Sequence, residues 1–596
     1  MHLKRHLLTL AVVVIVYSHY SSAENPCCSF PCQNGGICMT TGHTSYTCDC
    51  TGLEYYGDSC EHPTFWKKVK LMLKPDPEQL HHILVNYKWL WSIINNVSFL
   101  KNAAMKRVYT MRSHMIDSPP VFESDHEYAT FDAVGNYSYY TRTLPPVPRD
   151  CPTPMGVKGK KTMPDVDYLV QKFFRRTKFL PEPMGSNVLF SFFAQHFTHQ
   201  FFKTDLKMGP GFTWGGHGVD VSHVYGKDKA SENLLRSFKD GKMKSQMMNG
   251  EEFPPYLKDA PVPMTYPPNT PEHLKFALGH EFFGLLPGLF MYATVWLREH
   301  NRVCDVLKQE HPEFDDERLF QTTKWIILGE TIKIVIEDYV QHLSNYNFEL
   351  MFKPDLLFGE SFQYQNRIAV EFNHLYHWHP LMPSEFNVSG SIIPMKDYVY
   401  HSELVMKTGL ANFVDSMTRQ RAGMVGPHNH GAMTQHVLKQ AILHGRTLRF
   451  QSMNQYRKRF GMKTYTSFEE LTGEKKIAKE LEELYGDIDG MEFYVGLLLE
   501  KRREKALFGG AFVEIGGPYS VKGLMSNAIC SPKHWKPSTF GGQTGFDIVQ
   551  TATLKKLFCQ NIKGPCPYIS FRVPDYVEGD VDEELLSCQH GCHQEL

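Results

Sequence analysis

Ala194-Gln195-His196-Phe197-Thr198-His199-Gln200-Phe201-Phe202 is the stretch that decides the architecture. Gln195 and His199 stand four residues apart, so on a helix they share one face. Phe192, Phe193, Phe197, Phe201 and Phe202 surround them with apolar rings. The segment reads as a buried helix that presents an amide and an imidazole to an aromatic pocket. Such a pair can handle a peroxide: the histidine takes the incoming proton and returns it to the leaving oxygen, and the amide steadies developing charge. A buried, hydrogen-bonded histidine is the commoner reason for the same pattern.

A second segment complements it, Leu375-Tyr376-His377-Trp378-His379-Pro380. His379 is a candidate axial ligand for haem iron. Tyr376 lies three residues earlier, so its ring is expected about one turn away, on the same side. That would put an oxidisable phenol within electron-transfer reach of the iron. His377 and His379 as a metal pair is the alternative, although no acidic third ligand stands nearby in sequence.

The rest of the chain supplies context. It has 596 residues, too many for one hydrophobic core. Its net charge of −1 leaves no global field for nucleic acid. Lys4, Arg5 and His6 precede an apolar run over 7–17 and the small residues Ser21-Ser22-Ala23, so 1–23 reads as a signal peptide. Sequons at Asn96, Asn136 and Asn387 fit a luminal chain as glycosylation positions. Seven of the 14 cysteines fall between Cys27 and Cys60. The spacing of Cys32, Cys38, Cys48, Cys50 and Cys60 resembles an EGF-like domain, placed at 24–61; so short a segment needs crosslinks to hold it.

Residues 62–112 follow, with nine Lys or Arg against Asp76 and Glu78. Phe65-Trp66, Trp89-Leu90-Trp91 and Phe99-Leu100 lie among them. Short basic helices with exposed aromatics suit a membrane interface, and ordinary helices packed on a core are the alternative. The body, 113–574, reads mostly as helix, with examples over 272–300, 316–342 and 474–485. The apolar run 282–297 reads as a buried helix kinked at Gly284, Pro287 and Gly288. The acidic tail, 575–596, ends in His593-Gln594-Glu595-Leu596, a loose match to an endoplasmic-reticulum retrieval signal. Cys588 and Cys592 have no evident role. The expected fold class is mainly α: a disulfide-rich module, amphipathic membrane-binding helices and a large helical domain of haem-peroxidase type.

With these motifs, and with Leu297-Arg298-Glu299-His300-Asn301-Arg302 and Trp535-Lys536-Pro537-Ser538-Thr539-Phe540-Gly541-Gly542, the chain resembles the cyclooxygenases, or prostaglandin G/H synthases, of the animal haem peroxidase superfamily. The resemblance runs from Cys27 to about Phe571. It implies haem b on His379 and a hydroperoxide-driven oxidation beside His199 and Gln195. It implies a radical on Tyr376 that takes a hydrogen from C13 of arachidonate. Two O2 then add to give prostaglandin G2, which a reducing cosubstrate helps convert to prostaglandin H2. Arg112 matches the cation that pairs with the substrate carboxylate, and Tyr346 and Glu514 match the other constriction residues. Tyr339 matches the partner of the radical tyrosine. Val340, Trp378 and Val513 match channel positions, and Ser520 matches the serine that aspirin acetylates. Val513 with Arg503 implies a roomy side pocket and sensitivity to bulky isoform-selective inhibitors.

The resemblance further implies disulfides Cys27–Cys38, Cys28–Cys151, Cys32–Cys48, Cys50–Cys60 and Cys559–Cys566, with Cys304 and Cys530 free. It implies a homodimer lying monotopically on the luminal face of the endoplasmic reticulum and nuclear envelope. Gly517, Tyr519, Asn345 and Pro565 depart from the usual vertebrate pattern without removing a catalytic group. Three readings compete with it: a peroxidase alone, a dioxygenase giving a linear hydroperoxide, and an adhesion protein with a dead peroxidase body. Retention of Tyr376, Arg112, Gln195, His199 and His379 favours the cyclooxygenase.

Overall fold

The computed structural model describes residues 25–576 apart from positions 43 and 73. The leader, the end of the tail, Cys588 and Cys592 lie outside the described residues. Helices dominate, and among the described residues every sheet has two strands.

The first module is built on sulfur. Strands β1 (Ile37–Thr40) and β2 (Tyr46–Asp49) pair antiparallel, as do β3 (Tyr55–Tyr56) and β4 (His62–Pro63). Cys27–Cys38, Cys32–Cys48 and Cys50–Cys60 crosslink them. A Cβ on Gly36 would stand 2.5 Å from Cys60 Sγ, so the crossing chains require glycine there. Cys28–Cys151 ties the module to the body across 123 residues. A loop of that length constrains the unfolded chain by about 4–5 kcal/mol in the chain-entropy treatment. Near the end of the body Cys559 pairs with Cys566, and Cys304 and Cys530 are free and buried.

Four helices come next: α1 (Phe65–Met72), α2 (Pro77–Asn86), α3 (Lys88–Asn96) and α4 (Ser98–Ser113). Asp76 caps α2 by accepting from the Glu78 and Gln79 amides, and Pro77 fills the first turn, where no N–H is needed. Phe65, Trp66, Trp89 and Phe99 are each at least 65% exposed. Trp91 departs from the expected exposed set: its Nε1 donates to Ile83 O and its ring packs on Phe348. No helix among the described residues is long and apolar enough to cross a membrane. Helix α4 continues into the body, where Met105 and Tyr109 are buried.

Five body elements position the site: α5 (Val188–Thr198), α6 (Pro287–Glu310), α7 (Asp316–Ile334), α8 (Val370–Leu375) and α9 (Gly510–Met525). Helix α5 is apolar nearly all round and correspondingly sunk in the core. Asn187 starts it by accepting the Phe190 amide. Helix α6 corrects the sequence reading. It is not a kinked helix from 272; it begins at Pro287, whose missing N–H costs nothing in a first turn. Gly288 is there for closeness, since a Cβ would meet the Phe192 ring at 2.1 Å. Helix α7 passes through a π-helical turn, Val335–Val340, into a last turn, Gln341–Ser344. Such a turn shifts the side-chain register, and Tyr339 and Val340 sit in it.

Candidate functional site

Two histidines compete for a role at the end of α5, His196 in its last turn and His199 as its C-cap, and packing separates them. His196 is spent in the core: Nδ1 bonds Phe193 O, Nε2 accepts from Trp296, and the ring stacks on Tyr292 at 4.3 Å. His199 and Gln195 keep some accessible surface, and it faces a cavity of about 720 Å³. Burial, then the charges of Lys203 and His377, push the His199 imidazole down to about 4. At neutral pH it is an uncharged base, as proton acceptance requires.

The Tyr376–His379 segment lines the same cavity. Its local structure differs from one continuous helical turn. Helix α8 ends at Leu375, Tyr376 is its cap, and a separate 3-10 turn starts at His379. Two anchors fix the bend: Trp378 Nε1 donates to Leu375 O, and the Tyr494 hydroxyl donates to His377 O. Trp378 stacks on the Tyr376 ring at 4.3 Å. His379 Nδ1 is buried with no hydrogen-bond partner, and Gln195 Oε1 is likewise orphaned. Leu286, Leu381, Met382 and Val437 add apolar walls to the cavity. One cavity lined by the His379 imidazole, the Gln195–His199 pair and these apolar walls fits a haem.

A second cavity, about 110 Å³, runs from Arg112 on α4 to Tyr376, lined by Val340, Tyr346, Trp378, Val513 and Ser520. A third, about 20 Å³, continues past Tyr376 between Phe372, Tyr519 and Ser520. Among the described residues Tyr376 alone lines all three cavities. Burial pushes its phenol up to about 12, although the neighbouring Tyr339 and Ser520 hydroxyls favour the charged form, so it is protonated at neutral pH.

At the channel mouth Arg112 Nη1 donates to Glu514 Oε2 at 2.6 Å and Arg503 Nη1 donates to Glu514 Oε1 at 2.9 Å. Burial disfavours the Glu514 charge, but the two guanidiniums outweigh it and hold its carboxyl down to about 2. The other side of Arg503 is taken by Glu78.

The comparisons agree with this geometry. The model of the animal haem peroxidase family matches residues 216–567. Prostaglandin G/H synthase 2 of Gallus gallus is 59% identical over 564 residues, covering 94% of this chain and 93% of that protein. Prostaglandin G/H synthase 1 of Mus musculus is 54% identical over 561 residues, covering 94% and 93%. The chain belongs to the prostaglandin G/H synthases, within the animal haem peroxidases. Among solved structures, the fatty acid alpha-dioxygenase of Oryza sativa shares the fold at 15% identity, with a TM-score of 0.63 and coverage of 85% and 99%.

For a prostaglandin G/H synthase, the sequence-chosen residues fall into three groups. Gln195, His199 and His379 meet at the large cavity. Arg112, Val340, Tyr346, Trp378, Val513 and Ser520 line the channel. Tyr339 and Glu514 line neither cavity. Tyr339 is 0% exposed behind Tyr376, and Glu514 acts through Arg112 and Arg503. Tyr339 thus lies next to Tyr376 but outside the lining of the channel. Of the sequons, Asn96 and Asn387 are exposed and Asn136 is half-buried. A Cβ on Gly517 would reach Arg112 only at ordinary contact, 3.8 Å, so glycine there widens the mouth by one methyl. The Tyr519 hydroxyl is taken up by Thr143 and turns away from the channel. Sequence reading missed Glu78 as a mouth residue and His280 as a wall of the large cavity. Neither carries a motif.

Proposed function

We propose that this chain oxygenates arachidonate with two O2 to prostaglandin G2 by way of a radical on Tyr376, and reduces that product to prostaglandin H2 with electrons from a reducing cosubstrate. The observation that carries the reading is the position of Tyr376 between the peroxide cavity and the acyl channel. A bound haem b, held by His379, supplies hydroperoxide reduction and one-electron oxidation of a nearby phenol. His199 takes the proton of the hydroperoxide and returns it to the leaving oxygen; the Gln195 amide steadies the charge that develops there. Tyr376 then takes a hydrogen atom from the acyl chain: a C–H bond breaks and the phenolic O–H re-forms. The final peroxyl radical takes that hydrogen back, restoring the radical on Tyr376. Channel walls of Val340, Leu343, Leu350 and Phe512 exclude water, so the carbon radical meets O2 alone.

Arg112 pairs with the substrate carboxylate and sets its register, a charge-assisted contact worth about 1.5–3 kcal/mol. Ser520 is a steric wall: it lines the channel beside Tyr376. The test is product analysis after incubation with haem and arachidonate. Cyclic endoperoxide products support the reading, and a linear hydroperoxide as sole product overturns it.

Monotopic attachment to the luminal endoplasmic-reticulum membrane, and a homodimer, belong to the same proposal. The exposed Phe65, Trp66, Trp89 and Phe99 support the attachment. Changing these four to Ser is expected to release the protein from membranes without detergent. A variant that still pelleted with membranes would place the anchor elsewhere.

A further inference from the structure

At the mouth, the described charges form a chain. Glu514 bridges Arg112 and Arg503, and Arg503 in turn is held by Glu78. Arg503 Nε lies 3.0 Å from both Glu78 carboxylate oxygens, and Nη2 lies 2.7 Å from Oε1. Glu78 sits in the first turn of α2, among the helices with the exposed aromatics, 425 residues from its partner. The contact is built in from both sides. Asp76 and Pro77 fix where α2 starts. Gly510, at the start of α9, leaves room for the pair: a Cβ there would come 2.9 Å from Arg503 Nε and 3.0 Å from Glu78 Oε1. Lys74, His81 and Tyr346 complete the surroundings.

This linkage decides how available Arg112 is. An incoming carboxylate competes with Glu514 for the Arg112 guanidinium. Glu514 yields readily only if Arg503 attracts it strongly, and Glu78 already neutralises Arg503 from the far side. Glu78 also places a negative charge at the mouth that a fatty acid anion must pass. Both effects act in one direction. We propose that Glu78 is a specificity-determining positioning residue: through Arg503 and Glu514 it lowers the preference of the channel for a free carboxylate over an uncharged acyl head. The proposal rests on the function argued above.

The experiment compares kcat/KM for arachidonate and for its methyl ester in the haem-loaded, full-length protein, as wild type, Glu78→Gln and Glu78→Asp. The Gln variant is expected to raise the acid-to-ester ratio roughly two- to fivefold, the size expected for one half-exposed ion pair. The gain should sit in KM for the acid. The Asp variant keeps the charge and is expected to keep the wild-type ratio. A ratio that does not rise in Glu78→Gln, or that rises equally in Glu78→Asp, overturns the proposal. Wild-type protein that oxygenates neither lipid would instead sink the function on which it rests.

Discussion

Replacing Tyr376 by Phe is expected to abolish oxygen uptake with arachidonate while peroxide reduction stays largely intact. Phenylalanine keeps the ring that stacks on Trp378 at 4.3 Å and meets Phe372 edge-on at 5.1 Å, so both cavities should hold their shape. What is lost is the O–H. Among the described residues no other phenol can replace it: Tyr109 and Tyr346 line the channel and Tyr519 the small third cavity, but none of them lines the large cavity. The loss should be on the order of a thousandfold or more, equivalent to at least about 4 kcal/mol in the barrier. An oxygen electrode with arachidonate and a dye-linked peroxide assay on the same preparation give the two numbers. If both activities fell together, Tyr376 would be a structural support and not the radical site.

His199→Ala should produce the complementary defect. A positioned acid–base group contributes about 10²–10⁴-fold to proton transfer, so peroxide reduction should fall by that factor. Alanine leaves the Gln195 amide in place, so electrostatic help at the leaving oxygen persists and the loss should not be total. Oxygen uptake depends on the same step only for its start. The variant should therefore show a longer lag with arachidonate, shortened by added hydroperoxide. Stopped-flow peroxide reduction and the length of the lag test this. Unchanged peroxide reduction would assign the base elsewhere, with His280, whose ring lies 4.7 Å from that of His199, as the next candidate.

Much of the fold was legible. Helix α5 follows from its apolar composition and the four-residue spacing of Gln195 and His199, and the crosslinked first module follows from cysteine spacing. Misreadings came where a residue type has two uses. Pro287 can kink a helix or begin one, and only the packing of Gly288 on Phe192 shows which. Trp91 can face a membrane or a core, and Phe348, far away in sequence, draws it inward. Spacing on α5 placed Gln195 and His199 on one face but could not show that His196 was already satisfied by Trp296.

By itself the sequence determined the inventory: an amide and an imidazole four residues apart, a phenol near a candidate iron ligand, and a basic aromatic stretch ending at Arg112. These are properties of neighbours along the chain, and backbone geometry over one or two turns is enough to read them. The tertiary structure alone decided that Tyr376 stands between two cavities, and that Arg112, Glu514, Arg503 and Glu78 form one chain of charge. Arg112 and Glu514 are 402 residues apart, and Glu78 and Arg503 are 425 apart. Contacts of that range are set by how α2, α4 and α9 pack, and no local spacing carries that information.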